Sequence, residues 1–264
     1  TAKAYKEIWM KYQNMSPLRY YTLKQADKLT KEIGNENLLV DYAMRYGNPS
    51  IKSKIHTLKE AGCENLIVLP LYPQYAAATT ATVCDEVYRT LMKMRWQPNL
   101  QIIPHYESEP LYIDALINSL RKKINEISWK PDLVIASYHG IPKKYFDKGD
   151  PYHCYCHKTT RLLSEKFKEI PIKTTFQSRF GPQEWLQPYT DKTIEKLPEE
   201  GKKNILVISP GFSSDCVETL EEISIQAKDS FLKSGGLNFE MVPCLNDSDD
   251  HIKLLKYLIT RKNI

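Results

Sequence analysis

The chain has no run of eighteen or more apolar residues, which removes a helical membrane span. It has no CxxC pair among its six cysteines, Cys63, Cys84, Cys154, Cys156, Cys216 and Cys244. A chain of 264 residues does not need disulfides to fold, so the thiols read as reduced and the setting as cytosolic. There is no basic block and no aromatic-basic ladder, and the net charge is only +5. Nucleic acid is therefore not an expected partner, whereas an anionic small ligand or an anionic membrane surface is compatible with the charge. Neither GxGxxG nor GxxxxGK[ST] occurs, which argues against dinucleotide and P-loop chemistry. No short-period repeat and no low-complexity linker divides the chain. The sequence opens on Thr rather than Met, and TAKAYKEIWMKY already has helical character. We therefore expect an N-terminus that has been removed or left out, and localisation is not legible there.

What is present is a strict alternation. Short runs rich in Val, Ile and Leu recur at 37–43, 65–71, 100–106, 132–138, 172–178, 204–210 and 237–243. Between them lie helical patterns such as IKSKIHTLKEAG, ATVCDEVYRTLMKM, YIDALINSLRKKINEI, CHKTTRLLSEKFK and CVETLEEISIQAKDSFLKSG. With 42% hydrophobic residues a large core is available. Alternating strand and helix predicts an α/β fold with parallel sheets flanked by helices, as one sheet of seven strands or two of about four. The helix at 111–127 bridges the halves in this reading, and DDHIKLLKYLIT packs back on the first. Ligands in such folds bind beyond the carboxyl ends of the strands. That rule selects Arg45 and Tyr46, Tyr72 to Tyr75, His139, and Ser213 to Glu218.

Each candidate carries a plain alternative. His139 ends the run DLVIASY and precedes Gly140 and Pro142, so it is a pinned loop residue, a metal ligand or a proton acceptor. Asp215, Glu218 and Glu222 fall at i, i+3 and i+7, one stripe of an α-helix that could pass a hard cation or accept protons. The same residues also read as a capping box favoured by the helix dipole. Glu221 points elsewhere. HCYCH (153–157) lacks the spacing of a zinc site and reads as packing. The small residues of YAAATTAT permit close approach of a flat ligand, or simply tight packing. Trp185, in GPQEWLQPY, is a stacking platform or a loop anchor. Arg45 could hold a ligand carboxylate or a surface acid.

Taken together, MRYGNPSI, LPLYPQY…TT, SYHGIPKKYFDKGDPY, FQSRFGPQEWLQPYT and NILVISPGFSSDCVETLEEI resemble the ferrochelatase family, in the family's order and across nearly the whole sequence. The resemblance implies two similar Rossmann-like halves with a cleft between them. The boundaries expected are 1–107 for the N-terminal half (its first strand expected upstream), 108–243 for the C-terminal half, and 244–264 for a helix returning to the first. It implies insertion of Fe²⁺ into protoporphyrin IX, the last step of haem synthesis, by a lyase. His139 and Glu218 become the central catalytic and metal-facing pair, with Asp215 and Glu222 as further metal candidates. Arg45, Tyr46, Tyr72, Tyr152 and Trp185 fall along the cleft. The family often has His where this chain has Cys216. Iron is then a substrate and no cofactor is expected to be permanently bound. An iron–sulfur cluster is not expected, because the position matching one cluster ligand of animal members is Ala77 and no cysteine follows Cys244. The partners implied are porphyrin and ferrous iron, with peripheral contact at the inner membrane from a cytoplasmic location and no defined oligomeric state. Alternatives are a chelatase for coproporphyrin or sirohydrochlorin, or a tetrapyrrole-binding module without catalysis.

Overall fold

The computed structural model describes residues 2–34 and 37–261. Among these residues six strands form two wholly parallel sheets. β1 (Asn65–Val68) pairs with β2 (Asn99–Ile102) alone. β3 (Leu133–His139), β4 (Ile172–Gln177), β5 (Asn204–Ile208) and β6 (Asn238–Met241) form a sheet in the order β4-β3-β5-β6.

The larger sheet is covered on both faces, so its central strands β3 and β5 read as nearly continuous apolar runs. Because side chains alternate along a strand, Val134, Ala136, Tyr138, Leu206 and Ile208 share one face. There they pack on α5 (Pro110–Glu126), α7 (Tyr152–Lys166) and α10 (Asp249–Thr260). Leu133, Ile135, Ile205 and Val207 take the other face, against α8 (Thr190–Lys196), a π-helix (Val217–Ala227) and α9 (Lys228–Lys233). In the first half α3 (Ile51–Glu60) and α4 (Thr80–Leu91) bury Ile51, Ile55, Val83 and Val87 on Leu66 of β1. α10 returns to α2 (Pro17–Ile33) through Ile252 and Leu255 against Leu29. The short helices α1 (Ala2–Ile8) and α6 (Lys143–Asp147) complete the set described.

Two expectations are corrected. The run 37–43 is not a strand: its neighbourhood offers one isolated bridge, Met44 to Ser50. A strand exists only by exchanging hydrogen bonds with a neighbour, and among the described residues β1 has β2 as its sole partner. The apolar side chains of Leu38, Leu39 and Val40 line a cavity instead. The first half therefore holds a two-stranded sheet, not about four strands. The second correction is that 217–227 is a π-helix, with i→i+5 hydrogen bonds and a wider turn than the α-helix expected there.

Candidate active site

A cavity of about 1050 Å³ opens beyond the carboxyl ends of β1 and β3 and continues along β1. His139, Glu218, Arg45, Tyr72 and Tyr152 all line it.

His139 is set by the end of β3. The strand runs in register with β4 until His139 lies opposite Gln177. The Gly140 amide then donates to the Gln177 carbonyl at 2.7 Å. A side chain at Gly140 has no room, because its Cβ would sit 2.9 Å from the Gln177 carbonyl oxygen and 3.3 Å from the Trp185 ring. The turn at Pro142 follows, bridged to Trp185. The half-buried imidazole lies with Nδ1 2.6 Å from the Gly140 carbonyl oxygen. A carbonyl can only accept, so Nδ1 carries the hydrogen and neutral His139 keeps a lone pair on Nε2.

Glu218 stands in the first turn of the π-helix, where the N-terminus favours a negative charge. That helix starts one residue later than an Asp-x-x-Glu box requires. Its cap is extended Cys216, whose amide donates to Thr219 Oγ1 at 3.0 Å. Asp215 therefore precedes the helix and leaves the expected stripe. Its buried carboxylate accepts from Asn246 Nδ2 at 2.6 Å, Thr219 Oγ1 at 3.1 Å and the Cys244 amide at 3.2 Å. Glu222 accepts from Ser178 Oγ at 2.5 Å and from Gln177 Nε2 at 3.3 Å. The same Gln177 amide donates to the Glu218 carbonyl at 2.8 Å, so β4 is tied directly to the wide turn. Glu221 faces away and receives Gln226 Nε2.

Burial sets the phenols. It pushes the Tyr72 hydroxyl above its ordinary range, with Tyr46 and Glu218 adding and the Arg45 guanidinium opposing. It holds Tyr152 well above the ordinary value, with Cys156 adding. Burial, then the charge of Glu218, likewise holds the Cys216 thiol well above its usual value, so it stays protonated in the cavity wall. Tyr5 of α1 is raised by partial burial and then by Glu218, which places α1 beside the π-helix.

Two of the cleft candidates lie outside this lining, as do the metal candidates Asp215 and Glu222. Tyr46 is 74% exposed and serves as the ring beneath the Arg45 guanidinium, 4.6 Å from its centroid. Trp185 is 8% exposed, packs on Gly140, and donates Nε1 to the Phe180 carbonyl. Two buried glutamines were not anticipated. Gln25 of α2 donates to Ser214 Oγ and the Asn246 carbonyl, both at 2.9 Å, while its Oε1 is buried without a partner. Gln74 donates to Thr159 Oγ1 at 3.0 Å. The signal for Gln25 was present: Thr22, Gln25 and Leu29 share the buried face of α2, so polar groups stand at core positions. Arg45 Nε is also buried and unpartnered. Among the described residues no group of three or more His, Cys, Asp or Glu side chains is placed to hold a metal ion. No helix among them is long and apolar enough to cross a membrane.

The fold and the position of this cleft define a class. SirB from Bacillus subtilis, solved with Fe³⁺, superposes with a TM-score of 0.68 at 11% identity, covering 92% of this chain and 90% of that one. CbiX, described as the terminal enzyme of sirohaem biosynthesis in denitrifying bacteria, gives 0.59 at 11% identity, covering 98% and 92%. The chain thus has the fold of the tetrapyrrole chelatases. The ferrochelatase family model matches residues 1–263. A ferrochelatase of Allorhizobium ampelinum is 55% identical over 263 residues, covering 98% of this chain and 76% of the relative. One of Brucella anthropi is 50% identical over 265 residues, covering 99% and 76%. The chain belongs to the ferrochelatase family.

Proposed function

We propose that the cavity is where the chain performs its family's reaction, insertion of Fe²⁺ into protoporphyrin IX to give protohaem with release of two protons, as a lyase of haem biosynthesis. The observation that carries the site assignment is the contact of His139 Nδ1 with the Gly140 carbonyl, which in the neutral ring leaves a lone pair on Nε2, beside a cavity that Glu218 also lines.

Metallation removes two pyrrole protons and brings a cation to nitrogens that a flat ring shields. A cleft that holds a bent ring stabilises the transition state over the ground state. His139 Nε2 is the acceptor for a pyrrole proton. Glu218 supplies a carboxylate that takes the second proton or meets the incoming Fe²⁺. Glu222, next along the wide turn, extends the acidic path outward. Asp215 has its oxygens engaged by Asn246, Thr219 and Cys244, so in this reading it supports the helix start and does not ligate.

Arg45 has a buried, unpartnered Nε on the cavity wall, a donor suited to a porphyrin propionate. Tyr72 and Tyr152 give the ring neutral phenols and apolar surface. Trp185 acts from behind Gly140, holding the His139 turn. Iron is a substrate here, and no resident cofactor takes part in this reading. The units we assign are 1–107, 108–243 and 244–264. We place the enzyme in the cytoplasm, in keeping with six free thiols, with peripheral contact at the inner membrane through exposed Trp9, Tyr12 and Leu18.

Anaerobic mixing with protoporphyrin IX and Fe²⁺ tests the reading. Haem absorbance appearing at catalytic turnover is expected. Porphyrin binding without metallation would reduce the protein to a carrier, and reaction only with sirohydrochlorin or coproporphyrin would change the substrate.

A further inference from the structure

The first two turns of α7 hold a feature the cavity does not use. Tyr152 lines the cavity and Cys156 is fully buried, so these positions of HCYCH pack inward. His153 and His157 share a different face, four residues apart, with ring centroids 4.4 Å from each other. Neither is among the residues lining the cavity. Two rings at this spacing can bring one nitrogen each to a single ion, since zinc–imidazole bonds are about 2.0–2.1 Å.

The surroundings hold the pair in place without occupying it. His153 stacks on Phe176 of β4, with centroids 5.7 Å apart and planes 19° apart, and lies 5.0 Å from the Phe146 ring. His157 packs on the same Phe176 at 6.0 Å. The contacts of both rings are to other rings, and no side-chain hydrogen bond among the described residues draws on their nitrogens.

We propose that His153 and His157 form a second metal site, open and exchangeable, for a borderline divalent transition-metal ion such as Ni²⁺, Zn²⁺ or Cu²⁺. Imidazole nitrogen suits these ions, and the usual affinity order places Fe²⁺ below Ni²⁺ and Cu²⁺. Partial burial lowers the proton affinity of both rings, and His153 lowers that of His157 further, so the neutral, ligating forms persist below the usual histidine range. Among the described residues no third His, Cys, Asp or Glu completes a set, so water fills the remaining positions. The site is thereby distinct from a closed structural cage, which takes four protein ligands. Cys154 is exposed next to His153, and its thiol is the competing candidate that the test must separate.

The test is a calorimetric titration of Ni²⁺ into porphyrin-free protein, run on wild type and on His139→Ala, Cys154→Ser, His153→Gln and His157→Gln. One equivalent of Ni²⁺ should persist in His139→Ala and Cys154→Ser. Its affinity should fall at least tenfold in each of the two glutamine variants. A smaller fall in either, or loss of that equivalent in His139→Ala or Cys154→Ser, overturns the assignment. Wild-type protein gives an arm free of any folding change: Ni²⁺ should protect His153 and His157 from carbethoxylation, read by peptide mass spectrometry. Absence of protection overturns the proposal as well.

Discussion

At the scale of single residues, the site is a matter of which atoms are left free. His139 spends Nδ1 on the backbone and keeps Nε2. His139→Ala should abolish haem formation while leaving the unfolding transition close to wild type, because a half-buried strand-end ring adds little to the core. Turnover within tenfold of wild type would remove it from the reacting centre. Glu218→Gln should cut kcat far more than it cuts stability, since a lost cap or dipole contact costs only about 0.5–2 kcal/mol. Glu221→Gln is the control, as its carboxylate is hydrogen-bonded to Gln226 on the outside of the same helix. Equal effects of the two changes would make Glu218 a solvated helix start. His139, Glu218, Arg45, Tyr72 and Tyr152 were legible as a set through the family's motifs, and the rule of strand ends selected all but Tyr152. Gln25 is legible only as a polar group on the apolar face of α2, and neither its partner Ser214, 189 residues away, nor the place of Gln74 is, because long-range partners are not written in a local pattern.

At the scale of elements, six of seven expected strands form, since Val- and Ile-rich runs between amphipathic helices carry their own burial. The seventh does not, because pairing is a property of two segments and the apolar pattern of 37–43 describes only one. The π-helix was illegible for another reason. Spacing shows which residues could share a face under a given turn, but Gln177 reaching the Glu218 carbonyl is a tertiary contact that no local pattern encodes. The turn after β3 is the element most open to test. Gly140→Ala would force a methyl against the Gln177 carbonyl and the Trp185 ring, and should cost about 1–3 kcal/mol in urea unfolding while displacing His139 and lowering kcat. Trp185→Ala empties the other side of that contact and should cost about 3–5 kcal/mol by the same measurement. Wild-type stability in both would release the turn from its role in aiming the imidazole.

At the scale of the whole molecule, acid should loosen the fold through His251. This ring is buried in α10, within hydrogen-bond reach of the Asn246 carbonyl, and burial pulls its pKa from 6.5 down to about 4. The unfolded chain binds this proton first, so the contribution is fully present above pH 6.5 and is lost as pH falls towards 4. The loss is about 1.4 kcal/mol per pH unit, about 3 kcal/mol in all. In His251→Gln the slope of unfolding free energy against pH should flatten by close to one proton between pH 6 and 4.5, and an unchanged slope would refute this. The helix that carries His251 also bears on how the two halves are joined. The chain passes from the small sheet to the large one just before α5, where burial raises the Glu107 carboxyl but Lys158 and His105 pull it below its ordinary value. It passes back through α10, which packs on both α5 and α2. The halves are joined at more than these two crossings, since α1 packs on the π-helix, Gln25 of α2 bonds Ser214 and Asn246, and Ser213 donates to the Leu71 carbonyl. The walls of the cavity are therefore braced from several sides, and their alignment rests on packing as much as on the connecting chain.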